Sequence, residues 1–213
     1  MLAAGQYDIL VQLWAVIAPV AVYFLLLGLL NSSRRPPLLS ARADFVLLNA
    51  AILPVFCVPL LRLLGASTLV LAAVLAAVLA AAAVLSPRRG NWVIYNISVP
   101  EALRALERAM ESLGRPFRRQ GRELVLEGAD LSLRLAALPL LRNVSISARG
   151  ADASHLAPRL ERALSRELGR VSARTTPAGS AMLLIGVTLL VVPLGLLADR
   201  MPEMVRTLTD LVK

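Results

Sequence analysis

The chain has 213 residues, 57% of them hydrophobic and 17% charged, with a net charge of +9, and its mean hydropathy is +0.69. A soluble domain of this size holds about 45–50% apolar residues, so the excess excludes an ordinary soluble globule and assigns part of the chain to lipid. A single cysteine, Cys57, excludes an intramolecular disulfide or a thiolate cluster, and a single histidine, His155, excludes bis-histidine haem ligation within one chain and zinc sites needing two or three His.

The first uncharged run, residues 9–33, exceeds the about 20 residues that span hydrocarbon as a helix, and a helix is expected over 9–31. Asp8 and the lack of any basic residue before the run argue for a retained helix over a cleaved signal peptide. The second run is bounded by Asp44 and Arg62, which suit the two interfaces, and predicts a crossing over 44–62 with a bend at Pro54 or Pro59. A third helix is expected over 64–86, reached through the tight link Gly65-Ala66-Ser67, so the second and third form an antiparallel hairpin. The third repeats alanine pairs at Ala72, Ala73, Ala76, Ala77, Ala80 and Ala81, a small-residue surface that lets another helix approach closely. Residues 1–87 therefore read as three transmembrane helices.

From Asn91 to Gly169 the apolar period changes. Val93, Tyr95 and Ile97 fall at alternate positions and predict a half-buried strand. Ser98-Val99-Pro100-Glu101 matches a capping box, and Leu103, Leu106, Met110 and Leu113 form the apolar stripe of a helix that Gly114 stops. Residues 117–119 and 122–127 predict a hairpin turning at Gln120-Gly121. Past a turn at Gly128-Ala129-Asp130, Leu131, Leu133 and Leu135 mark one strand, and Val144 and Ile146 another. Leu156, Leu160, Leu164 and Leu168 give a second helix stripe ending at Gly169. Residues 88–174 thus read as a separately folding α+β domain, an antiparallel sheet with two helices on one face, inserted between transmembrane helices 3 and 4.

A fourth transmembrane helix is expected over 175–198, opening at Pro177 and containing Gly186, Pro193 and Gly195. The tail, 199–213, places Met201, Met204, Val205, Leu208, Leu211 and Val212 on one helical side and reads as an interfacial amphipathic segment. The fold class is an α-helical membrane protein with about four transmembrane helices plus the small α+β domain. Arg34, Arg35 and Arg42, then Arg88 and Arg89, then Arg170 and Arg174 fall on one side of such a topology. Cytoplasmic loops carry the excess of basic residues, so the domain is expected inside and both termini outside a multi-pass cell (inner) membrane protein.

The chain offers little recognisable chemistry. It has no G-x-x-x-x-G-K-[ST] and no G-x-G-x-x-G, and His155 has no G-x-S-x-G context for a triad. Glu107 and Glu111 alternate with Arg104 and Arg108 at helical spacing and read as a salt-bridged face rather than an acid cluster with Glu101. No Asp, Glu, Lys, Arg or His falls near the middle of an apolar run, which argues against a proton-coupled pump. Asn49, within the second run, is expected to hydrogen-bond another helix. Arg118, Arg119 and Arg122 form a candidate basic surface attracted to anionic lipid. Trp92, Tyr95 and Phe117 read as core or interface residues rather than a stacking platform, so nucleic acid is not an expected partner. All but one of the 23 Lys and Arg are Arg; guanidinium suits anions, though the coding bias of a GC-rich bacterial genome accounts for the Arg excess as well.

These readings assign no catalytic residue, no cofactor and no metal ligand. They point to a non-enzymatic scaffold or accessory subunit whose partners are membrane lipids and other membrane subunits or further copies of the chain. The alternative is an oligomeric channel or transporter with the domain as a cytoplasmic vestibule.

Overall fold

In hydrocarbon a helix pairs each interior N–H with a carbonyl of its own segment, which makes it the form an uncharged run adopts. The runs form α1 (Leu2–Ser32), α2 (Ala41–Leu63), α3 (Thr68–Leu85) and, after the domain, α6 (Pro177–Ala198). The structure, a computed structural model, describes residues 2–65, 67–85 and 90–198; the expected amphipathic tail lies outside them, as do Arg88 and Arg89. Three stretches, Leu13–Ser32, Ala41–Leu60 and Pro177–Gly195, are long and apolar enough to cross a membrane, while the apolar stretch Ala72–Leu85 of α3 is shorter.

α1 and α6 pack antiparallel at close range because each presents glycine to the other. A Cβ on Gly28 would stand 2.8 Å from the backbone nitrogen of Leu183, and one on Gly186 would stand 2.9 Å from that of Leu25. At the end of the pair, a Cβ on Gly179 would meet the Asn31 carbonyl oxygen at 3.0 Å. α2 lies against α1, and α3 returns along α2 after a turn at Gly65, whose φ of +70° suits a residue without a Cβ.

The domain contains β2 (Asn91–Ile94), α4 (Val99–Ser112), β3 (Phe117–Gln120), β4 (Glu123–Leu126), β5 (Ser132–Leu138), a single 3-10 turn (Pro139–Leu141), β6 (Asn143–Arg149) and α5 (Ala153–Leu168). The Ser98 amide and hydroxyl both donate to the Glu101 carboxylate, at 3.1 and 2.6 Å, and set the start of α4. Those bonds, the hydroxyl's foremost, hold the Glu101 carboxyl below its ordinary range. Gly121, at φ +63°, is the first residue of the two-residue link between the paired Gln120 and Glu123, where a positive φ matches the strand twist.

The sheet is antiparallel in the order β1-β2-β6-β5-β4-β3, with β1 formed by Leu38–Ser40. α4 and α5 cover one face, and Leu106, Leu124, Leu133, Ile146 and Leu164 are completely buried between them and the strands. The remaining strand, β1 (Leu38–Ser40), comes from the link between α1 and α2 and pairs Leu39 with Val93. The sheet therefore takes in residues from outside the expected 88–174 boundary. β2 is also buried on both faces: Trp92 and Ile94 enter the core under α4 and α5, while Val93 and Tyr95 pack with Leu27 of α1 in a second cluster that includes Tyr23, Leu39 and Met182. The expected half-buried strand assigned the core to Val93, Tyr95 and Ile97; Ile97 does enter the main core, whereas Val93 and Tyr95 meet the apolar helices instead.

Replacing Gly28 by Ala should force α1 and α6 apart and cost about 1–3 kcal/mol, the usual penalty of overpacking. Thermal denaturation in mild detergent reads this as a lowered midpoint. Gly195→Ala, where nothing lies within 4 Å of the added Cβ, should leave the midpoint unchanged or raised.

Candidate functional site

The last carbonyls of a helix have no partner within it and must find donors elsewhere. At the end of α1 those donors come from distant parts of the chain. The Thr176 hydroxyl donates to Asn31 O at 3.4 Å, Asn96 Nδ2 to Ser33 O at 3.0 Å, and the Ala173 amide to Arg34 O at 2.8 Å. The Thr176 hydroxyl also accepts the Gly179 amide at 3.1 Å and so caps α6. Asn96 is completely buried with φ +53°, a left-handed conformation that asparagine tolerates better than most residues. One residue earlier the Tyr95 amide donates to Pro37 O at 3.1 Å. The result is a buried polar junction where β2, the end of α1 and the start of α6 meet.

Tyr95 links this junction to Asp44. Its hydroxyl donates to Asp44 Oδ1, so the first turn of α2 is tied to the end of β2. Burial pushes the ionisation of this phenol well above its ordinary value of 10.0, and the hydrogen bond and charge of Asp44 push it further. Asp44 thus anchors a tyrosine, a use that its position at the edge of an apolar run does not reveal. Asn31 Oδ1, Ser32 Oγ and Asn96 Oδ1 are buried without a protein hydrogen-bond partner. The arrangement holds helix ends and strand ends together.

The other expected site residues lie apart from this junction. Ala72, Ala73, Ala76, Ala77, Ala80 and Ala81 all face outward from α3, which turns Val74, Leu75, Val78, Leu79 and Ala82 inward instead. Asn49 Nδ2 donates to Phe45 O at 2.7 Å, within its own helix rather than across to another. Arg118 and Arg122 are exposed, whereas Arg119 pairs with Glu107 at 3.2 Å and donates to Gly121 O. The acidic and basic residues of α4 likewise pair across elements. Glu107 meets Arg119 of β3, and Arg108 stands 3.2 Å from the buried Glu167 of α5, which also holds Arg170 at 2.6 Å. A helical-spacing argument within α4 overlooked both, because ion pairs follow packing once elements meet. His155 is exposed on α5, and Cys57 is half-buried in α2. Among the described residues no three His, Cys, Asp or Glu side chains gather as a metal site would need.

A further basic feature is on α5. Arg159, Arg162 and Arg166 line an open cleft of about 600 Å³ beside Leu113 at the end of α4. Their spacing of three and four residues puts them on one helical face, and that spacing is the sequence signal by which the stripe could have been found.

The chain matches no family model, no curated protein and no solved structure in comparisons with each.

Tyr95→Phe tests the junction. Removing the hydroxyl leaves the half-buried Asp44 without this donor and should cost about 1–3 kcal/mol. Because the folded-state ionisation of Tyr95 is raised, its contribution is complete below the ordinary value of 10.0 and is lost as pH rises beyond it. Stability measured from neutral to strongly alkaline pH should therefore fall less steeply in Tyr95→Phe than in the parent.

Proposed function

We propose that this chain is a non-enzymatic membrane scaffold or accessory subunit that crosses the bilayer four times and carries its α+β domain in the cytoplasm, with both termini outside. The observation that carries the reading is the outward alanine face of α3. In lipid, helices associate through close packing of small residues rather than through exclusion of water, and a flat alanine face is filled better by another helix than by flexible acyl chains. α1 and α6 already occupy each other through glycine, and α3 has its inward side on α2, so the alanine face is open to a neighbouring subunit.

A fourth crossing agrees with the dimensions of α3. Its 18 residues rise about 27 Å at 1.5 Å per residue, close to the roughly 30 Å of a bilayer's hydrocarbon. The antiparallel pairing of α1 with α6 supports a topology in which both outer ends lie on one side. Arg34 and Arg35 are exposed at the end of α1, and Arg170 and Arg174 are exposed before α6, which supports a cytoplasmic domain by the positive-inside rule. The Arg159, Arg162 and Arg166 cleft gives the domain a surface for an anionic or acidic partner.

Gentle detergent extraction followed by native mass measurement tests the assembly. A complex larger than one chain is expected, and the double substitution Ala76→Leu with Ala77→Leu should shift it towards the single chain; a parent that is always alone contradicts the scaffold. A homo-oligomer that passes ions in liposomes would favour a channel instead. For topology, Ser112→Cys on a Cys57→Ala background should resist an impermeant maleimide in intact cells and react after permeabilisation. Labelling from outside reverses the orientation.

A further inference from the structure

The end of the β5–β6 hairpin differs from the rest of the domain. Leu138 is 56% exposed, and among the described residues every other exposed large hydrophobic lies in α1, α2, α3 or α6 or in the turn joining α2 to α3. Leu138 belongs to the sheet face that α4 and α5 leave open. Leu133 and Leu135 point into the core, so alternation sends Arg134, Ala136 and Leu138 to the opposite side. On that side Val93 and Tyr95 meet Leu27 and Met182, residues within the apolar spans of α1 and α6. The 3-10 turn that follows Leu138 lies against α6 itself.

The backbone of this tip needs little water. Leu138 is paired in the ladder with Asn143, Pro139 has no amide hydrogen, and Pro139 O accepts the Arg142 amide at 3.1 Å. Arg142, at φ +49°, turns the chain back, and its carbonyl accepts the Ile97 amide at 2.8 Å. Its guanidinium stands 3.7 Å from Glu101. The tip is thus an apolar projection on a fixed mount, its turn closed by the Pro139–Arg142 bond and tied to the domain through Arg142.

We infer that the tip formed by Leu138 and Pro139 is an interfacial foot of the domain, seated in the boundary between headgroups and acyl chains beside α6. Its occupant is the bilayer in which the helices lie. The contact continues the one Val93 and Tyr95 make with α1 and α6, and it holds the open sheet face towards the membrane surface. The inference rests on the membrane reading proposed above.

Depth-dependent quenching tests it on the full chain with Cys57→Ala, reconstituted in vesicles of phosphatidylcholine and phosphatidylglycerol. Three single cysteines carry a bimane label: Leu138→Cys, Ser154→Cys on the exposed start of α5, and Thr188→Cys on the outward side of α6. A nitroxide placed shallow in the lipid should remove most of the Leu138→Cys fluorescence and spare Ser154→Cys, while a deep nitroxide should quench Thr188→Cys. Quenching at Thr188→Cys without quenching at Leu138→Cys overturns the foot and leaves the membrane reading standing. An unquenched but blue-shifted label at Leu138→Cys also overturns it, since protein rather than lipid would then cover the tip. Loss of quenching at both positions removes the membrane reading and the foot with it.

Discussion

The close approach of α1 and α6 is the constraint from which the other contacts follow. Glycine at Gly28, Gly179 and Gly186 lets the two backbones come within a distance that no Cβ would permit. This locks the first and last described apolar helices side by side and in antiparallel sense. The chain leaving α1 and the chain entering α6 then emerge together, and the Ala173 amide reaches Arg34 O. The whole α+β domain is a long excursion between two fixed points. β1 can pair with β2 because residues 38–40 leave the end of α1 already beside the sheet.

The domain has two kinds of support. One is the large core between the sheet and its two helices, where burial of each Leu or Ile side chain is worth about 1.5–3 kcal/mol. The other is the small cluster of Leu27, Val93 and Tyr95 together with the hydrogen bonds at the end of α1. A net hydrogen bond contributes only about 1 kcal/mol, yet a buried group left unpaired loses about 1–3 kcal/mol. The polar junction therefore contributes more by penalising misplacement than by adding stability. If the domain shifted sideways, the carbonyls of Asn31, Ser33 and Arg34 would all lose their donors.

Much of this architecture was legible because single residues carry strong local signals. Uncharged runs bounded by Asp44, Arg62 and Arg174 marked the apolar helices, Ser98 and Glu101 marked the start of α4, and Gly114, Gly121 and Gly128 marked where chain direction changes, each with positive φ. β1 was not legible, since three residues after Pro36-Pro37 are too few to show alternation. The two faces of β2 could not be told apart either, because alternation identifies a core face only when the other face is wet, and here both are covered. The junction was hidden for a related reason: Asp44, Tyr95, Asn96 and Thr176 are far apart in the chain and no local spacing joins them. Small-residue packing was expected on α3 from its regular alanine pairs, whereas the described helices meet most closely through an isolated glycine on α1 and two on α6 separated by seven residues.

Gly28 and Leu183 are separated by more than 150 positions in the chain. At the about 5–20 residues per second of ribosomal synthesis, α1 exists for roughly 8–30 s before the helix that fills its glycine face has been made. Throughout that interval the carbonyls of Asn31, Ser33 and Arg34 wait for donors encoded later, and β1 waits for β2. During that time α1 exposes bare backbone at a glycine and open acceptors at its end. The same glycines that make the finished pair tight leave α1 without its packing partner until α6 has been made.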